Sequence, residues 1–181
     1  MPTLPNLLTA SRLALAPFVA WRLMLHDVEG AFWLFAVAAT TDLLDGWLAR
    51  LLDQKSDFGA LLDPIADKVM LLTTLSFLAL THLLPMWLLW LVLLRDVVIL
   101  SGAIAYRRLT GGLKITPILS GKLTIALEFL LVSWVLADDG LSLGLAWGIQ
   151  PLTVLTAAVG ILSGLRYVWI WSSKTAAYLR R

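Results

Sequence analysis

The sequence predicts an all-α integral membrane protein with six transmembrane helices. Three observations carry that prediction. Of 181 residues, 60% are hydrophobic and only 14% charged, whereas a soluble domain carries about a quarter charged residues. Six stretches stay apolar over the roughly 20 residues that a spanning helix needs. Nine tryptophans suit a chain with two membrane–water interfaces to populate. The length fits one membrane domain, 1–181. A formal charge of +2 is too small to argue nucleic-acid binding. The absence of cysteine excludes structural disulfides and thiolate metal sites.

The predicted spans lie at about 7–25, 31–51, 60–81, 85–107, 117–137 and 144–171. Ahead of the first, residues 1–12 form an interfacial segment in which Pro2 and Pro5 break regularity and Asn6 or Thr9 can cap the helix start. Arg12 interrupts the apolar run and no clear small-residue cleavage site follows, so this is not a convincing signal peptide. The second and third spans flank an acidic stretch. In the fourth, Arg95 and Asp96 fall mid-span and admit two readings: a polar contact between helices, or an arginine that reaches a substrate cavity and is held by the aspartate. Gly111-Gly112 marks a turn, and Pro117 suits the first turn of the fifth span. Near that turn, S-G-K-L-T at 120–124 begins a helix whose N–H groups favour anions, which makes Lys122 a candidate phosphate contact. Glu128 in the fifth span and Arg166 in the sixth form a conceivable pair. Trp169 and Trp171 read as an interface belt, and 172–181 as a polar, basic cytoplasmic tail.

The stretch Asp42–Lys68 organises the chain: DLLDGWLARLLDQKSDFGALLDPIADK. Asp42, Asp45, Gly46 and Ala49 fall at i, i+3, i+4 and i+7, one face of a helix. Ser56, Gly59, Asp63, Ala66 and Asp67 share a face by the same rule. A short polar link around 53–57 folds the two helices into a hairpin. Each face then offers two acids beside small residues that let a ligand approach. Facing carboxylates repel unless protonated or bridged by cations. An all-oxygen donor set suits Mg2+ or Mn2+, which are usually shared with substrate phosphates. The chemistry implied is a metal-bound phosphate ester handled at a membrane.

Short loops set the expected orientation. His26–Gly30, the loop near His82 and residues 137–141 hold no Lys or Arg. Arg12, Arg50, Lys55, Arg107, Arg108, Lys114, Lys174, Arg180 and Arg181 fall on the other side. The positive-inside rule puts both termini and the acidic motif on the cytoplasmic side. Both histidines sit in the opposite loops and read as surface residues, which leaves base chemistry to a carboxylate.

The spacing D-x2-D-G-x2-A-R-x8-G-x3-D-x3-D, carried by Asp42, Asp45, Gly46, Ala49, Arg50, Gly59, Asp63 and Asp67, resembles the signature of the CDP-alcohol phosphatidyltransferase family at all eight positions. The resemblance implies that family's fold and its reaction: transfer of a phosphatidyl group from CDP-diacylglycerol to an alcohol, with release of CMP. It implies that Asp42, Asp45 and Asp63 hold one or two divalent cations, Mg2+ or Mn2+, with Asp67 reaching the second and serving as general base. Arg50 contacts the pyrophosphate region, Gly46 and Gly59 leave room for the cytidine beside Ala49, and Ser56 aligns with a nucleotide-binding hydroxyl. Pro5 and Asn6 match a Pro-Asn pair that contributes to the CDP-lipid site. Arg95, Arg107, Lys114 and Lys122 are candidate acceptor contacts. A homodimer formed through membrane helices is implied as well, in a bacterial inner membrane or an organelle inner membrane.

Across most of the chain, T-D-L-L-D-G, L-L-D-P-I-A-D-K, L-R-D-V-V-I-L and L-K-I-T-P-I-L-S-G-K-L-T-I-A-L look like the cardiolipin synthases of this family, whose acceptor is phosphatidylglycerol. Phosphatidylglycerophosphate synthases, with glycerol 3-phosphate as acceptor, share the PNLLTASR-like start and the Gly121-Lys122 pair. They usually carry Arg-Glu where this chain has Arg95-Asp96, and Glu128 departs from the glutamine frequent in both groups. An inositol phosphate acceptor is a third choice. Membrane aromatic prenyltransferases also place Asp-rich motifs around a pyrophosphate, but need more spans and lack Gly46-x2-Ala49-Arg50. A divalent-cation transporter is the non-enzyme alternative, and the clustering of the acids at one membrane face argues against it.

Overall fold

A computed structural model describes residues 4–51, 57–110 and 119–179, with side chains left undescribed at 4–9, 42–51, 57–62, 110, 174 and 176–179. It contains six α-helices: α1 Leu4–Met24, α2 Val28–Leu51, α3 Asp57–Leu80, α4 Met86–Thr110, α5 Leu119–Leu141 and α6 Ile149–Leu179. One 3-10 turn, Ala146–Gly148, precedes α6. All-α architecture and six helices therefore match the expectation, but six transmembrane helices do not. Among the described residues three segments are long and apolar enough to cross a bilayer: Met86–Leu109, Leu119–Leu141 and Ala146–Ser173.

The physical reason lies in where the charges fall. In α2 the acids Asp42 and Asp45 follow the apolar stretch Val28–Thr41. In α3, Asp57, Asp63, Asp67 and Lys68 occupy the first half of the helix. Arg12 and Arg22 interrupt α1. Each charge at membrane depth costs about 2.5–3.5 kcal/mol on insertion scales, so helix length alone overstates the spans. At the other end, α6 runs on to Leu179, so the expected tail is helical through that residue.

Contacts group the chain into two compact units, Met1–Leu84 with Val132–Trp147, and Pro85–Leu131 with Gly148–Arg181. In the first, α1 packs along both α2 and α3. Its core holds Val19, Leu23, Phe35, Leu75, Leu78, Val135 and Leu136. In the second, α4 packs on α6, and Leu88, Val92, Leu131 and Tyr167 are buried. Gly102 lets Trp171 approach closely there: a Cβ at that position would sit 2.9 Å from the indole Cδ1. Tyr106 also packs on Trp171, with ring centroids 5.1 Å apart.

Both histidines have a structural task that their sequence position did not announce. His26 (φ 57°) and His82 (φ 63°) adopt the left-handed conformation just past α1 and α3, a region in which histidine is enriched among non-glycine residues. At the end of α1 the His26 N–H donates to the Leu23 carbonyl at 3.0 Å and the Asp27 N–H to the Arg22 carbonyl at 3.0 Å. That is the bond pair of a Schellman stop.

Asp27 then starts α2 as its N-cap, accepting the Gly30 N–H at 2.9 Å and pairing with Arg22. The Gly30 N–H, aided by the Arg22 cation, holds the Asp27 carboxyl below the usual carboxylate range. Stability from this cap is therefore complete above the unfolded-state value of about 3.9 and is lost as pH falls through the lower folded value. Asp27→Ala should lower the thermal midpoint at neutral pH, and the deficit should shrink below about pH 4. A deficit that stays constant across a pH series of melting curves would show that the charge plays no part.

The end of α5 meets the start of α2. A Cβ at Gly140 would lie 3.0 Å from the Val28 carbonyl oxygen, so only glycine fits there without displacement. Two of the lysine- and arginine-free loops thus lie side by side. Beyond α5 the Leu145 N–H donates to Asp138, and its carbonyl accepts Trp134 Nε1–H at 3.0 Å.

Candidate active site

The motif acids of α3 meet α1 at one side chain. Asp63 and Asp67 are one helical turn apart, so both carboxylates leave α3 on the same side. Ala66, on the neighbouring position, is 2% exposed and keeps that side of the helix close to its surroundings. Arg12 comes from α1, about two turns into the helix. Its Nη2 donates to Asp63 Oδ1 at 3.3 Å, and its Nη1 donates to Asp67 Oδ1. The Arg12 side chain is 3% exposed, against 44% for Asp63 and 50% for Asp67. One buried guanidinium thus spans two carboxylates that keep open faces.

This arrangement suits a hard cation. The donor atoms are carboxylate oxygens that already converge on one positive group and remain reachable. Among the described residues no group of three or more acids, histidines or cysteines gathers within metal-binding reach. The other two acids, Asp42 and Asp45, lie on α2, but their side chains fall outside the described residues. Their i, i+3 placement on one helix face holds, since α2 runs unbroken from Val28 to Leu51.

The remaining sequence candidates separate as follows. Gly46, Ala49 and Arg50 lie on α2, Gly59 on α3, and Pro5 and Asn6 in the first turn of α1, all without described side chains. Ser56 and Lys114 lie outside the described residues, as does the 53–56 link of the expected hairpin. Arg107 is exposed in the last turn of α4, and Lys122 is exposed in the first turn of α5.

Arg95 belongs to a buried cluster within the second unit. Its Nη1 lies 3.1 Å from Asp96 Oδ1 and 3.6 Å from Glu128 Oε1. Its Nη2 reaches Ser163 Oγ at 3.5 Å. Glu128 is 2% exposed and Arg95 7%. Glu128 therefore meets Arg95, whereas Arg166 is exposed. Gly164 lies beside this arginine, its Cβ position 3.7 Å from Arg95 Cγ.

Arg12 is the residue that the motif reading missed. In the sequence it served to orient the chain and to argue against a signal peptide. The signal was present: a charged residue inside an apolar helix needs a partner, and the motif supplies acids on the same expected side of the membrane as Arg12.

Comparison with known proteins follows the same residues. The chain is 31% identical over 180 residues to the cardiolipin synthase (CMP-forming) of Rattus norvegicus, covering 86% of this chain and 59% of that protein. It is 42% identical over 106 residues to a probable cardiolipin synthase (CMP-forming) of Drosophila melanogaster, covering 58% and 33%. It is 49% identical over 77 residues to a CDP-diacylglycerol--glycerol-3-phosphate 3-phosphatidyltransferase of Cereibacter sphaeroides, covering 40% and 35%. The chain thus spans between about a third and three-fifths of the length of these curated relatives. The profile of one family, CDP-alcohol phosphatidyltransferase, matches residues 2–169, taking in Arg12, the acids of α2 and α3 and the Arg95 cluster, and by that match the chain belongs to the CDP-alcohol phosphatidyltransferase family.

Proposed function

We propose that this chain transfers a phosphatidyl group from CDP-diacylglycerol to an alcohol acceptor at a membrane. The observation that carries the reading is the convergence of Asp63 and Asp67, with open faces, on a single buried cation. It lies inside a motif whose acids suit phosphate chemistry. The acceptor oxygen forms a bond to the phosphatidyl phosphorus, and the bond from phosphorus to CMP breaks. CMP leaves with the electron pair, and the hydroxyl proton passes to a carboxylate oxygen.

Asp67 is the proposed base, since half of its side chain is accessible while Arg12 fixes its other oxygen. Asp63, with Asp42 and Asp45, would hold the divalent cation, Mg2+ or Mn2+, that family membership leads us to expect. When bound, such an ion supplies positive charge for the pyrophosphate. Arg50 would orient the diphosphate by charge-assisted hydrogen bonds. Gly46, Ala49, Gly59, Ser56, Pro5 and Asn6 would complete the CDP-lipid site. Arg107, Lys114 and Lys122 would draw a phosphate on the acceptor. Arg95 would join them only by giving up its contacts with Asp96 and Glu128. The basic loops favour a site on the cytoplasmic side.

Phosphatidylglycerol is the acceptor we favour, because the relative matched over 86% of this chain is named a cardiolipin synthase. Glycerol 3-phosphate is the second reading, supported by the 49% identity over 77 residues to an enzyme named for that acceptor. The test is CMP release from labelled CDP-diacylglycerol by the purified protein with Mg2+, offered phosphatidylglycerol, glycerol 3-phosphate or inositol phosphate in turn. Phosphatidylglycerol should give CMP and a cardiolipin product, and excess chelator should abolish both. Divalent ion flux into vesicles with no CMP from any acceptor would replace the enzyme reading by a transporter.

A further inference from the structure

We propose that Arg12 is a built-in counter-cation of the motif, which balances Asp63 and Asp67 when no divalent ion is bound and gives up part of that role when one binds. The inference rests on the metal reading above and concerns how that site is kept ready. Arg12 is among the most buried charged side chains described, 2% exposed as a residue, and it contacts two acids 51 and 55 residues further along the chain. A buried cation of this kind persists only when its charge is matched. Two carboxylates one turn apart repel each other, and the guanidinium removes that repulsion from the inner side. Because the acids stay 44% and 50% exposed, a second cation can reach them from the outer side without passing Arg12.

A forked guanidinium fits this task better than an ammonium, since it reaches two separate carboxylates from one rigid plane. The consequence is a competition. With Arg12 present the pair of acids carries less net charge for an incoming ion to neutralise. Without it, the ion alone relieves the repulsion, and binding stabilises the native state by more.

The experiment measures Mn2+ binding by electron paramagnetic resonance, and thermal midpoints in chelator and in Mn2+, on detergent-solubilised protein without lipid substrate. Arg12→Gln should melt lower than wild type in chelator. Mn2+ should raise its midpoint by more than it raises that of wild type, and its Mn2+ dissociation constant should fall by about threefold or more. Arg12→Lys, which keeps the charge, should stay within about twofold of wild-type affinity. Equal midpoint losses with and without Mn2+, or weaker Mn2+ binding in Arg12→Gln, would make Arg12 a structural contact and overturn the proposal. No Mn2+ binding by wild type would overturn the metal reading and this proposal with it. Should Arg12→Gln fail to fold, the Arg12 side-chain 15Nε resonance of wild type decides, identified by its loss in Arg12→Lys. A shift on Mg2+ titration supports the exchange of partners, and an unmoved resonance overturns it.

Discussion

Replacing Asp67 by asparagine should lower CMP release by about 10²–10⁴-fold, the usual contribution of a positioned general base, while CDP-diacylglycerol still binds. Asparagine keeps the size of aspartate and one acceptor oxygen, so Arg12 retains a partner at that position. What disappears is the capacity to take a proton. Release of labelled CMP and equilibrium binding of the CDP-lipid, measured on the same preparation, separate the two roles. Turnover within about tenfold of wild type would remove Asp67 from proton transfer. Loss of CDP-lipid binding in step with turnover would make it a ligand of the bound headgroup instead.

The motif was legible because it breaks the chemistry of its surroundings. Four aspartates at helical spacing inside an apolar chain have few explanations other than function. Helix positions were legible for a related reason: apolar runs of about 20 residues are seldom anything else, and all six helices occur close to the expected places. The count of spans was not legible from length. It depends on where charge falls, and in α3 Asp63, Asp67 and Lys68 all fall in the first half of the helix. Long-range pairings were the least legible. Arg12 and its acids are 51 and 55 residues apart, and no periodicity links them. Glu128 had an arginine available on α4 and another on α6. Each residue turns a helix face by about 100°, so packing rather than sequence distance chose Arg95.

The largest stability effect should come from that choice. Arg95→Met should cost about 3–5 kcal/mol, the usual result of breaking a buried ion pair from one side. The cluster holds one guanidinium beside two carboxylates, Asp96 at 24% side-chain exposure and Glu128 at 1%. Methionine fills much of the arginine's length but removes the positive charge beside both acids. The double replacement Arg95→Met with Glu128→Leu should recover much of the loss, since an apolar pair of similar volume commonly matches a buried ionic one. Unfolding in mixed detergent reads the stabilities, and acceptor KM, followed on the same variants, reads the alternative. If Arg95 instead contacts the acceptor, Arg95→Met should raise that KM with little change in stability, and the double variant should rescue nothing. The burial of Glu128 argues for the first outcome: a carboxylate placed that deep needs a cation in the folded protein whether or not substrate is bound.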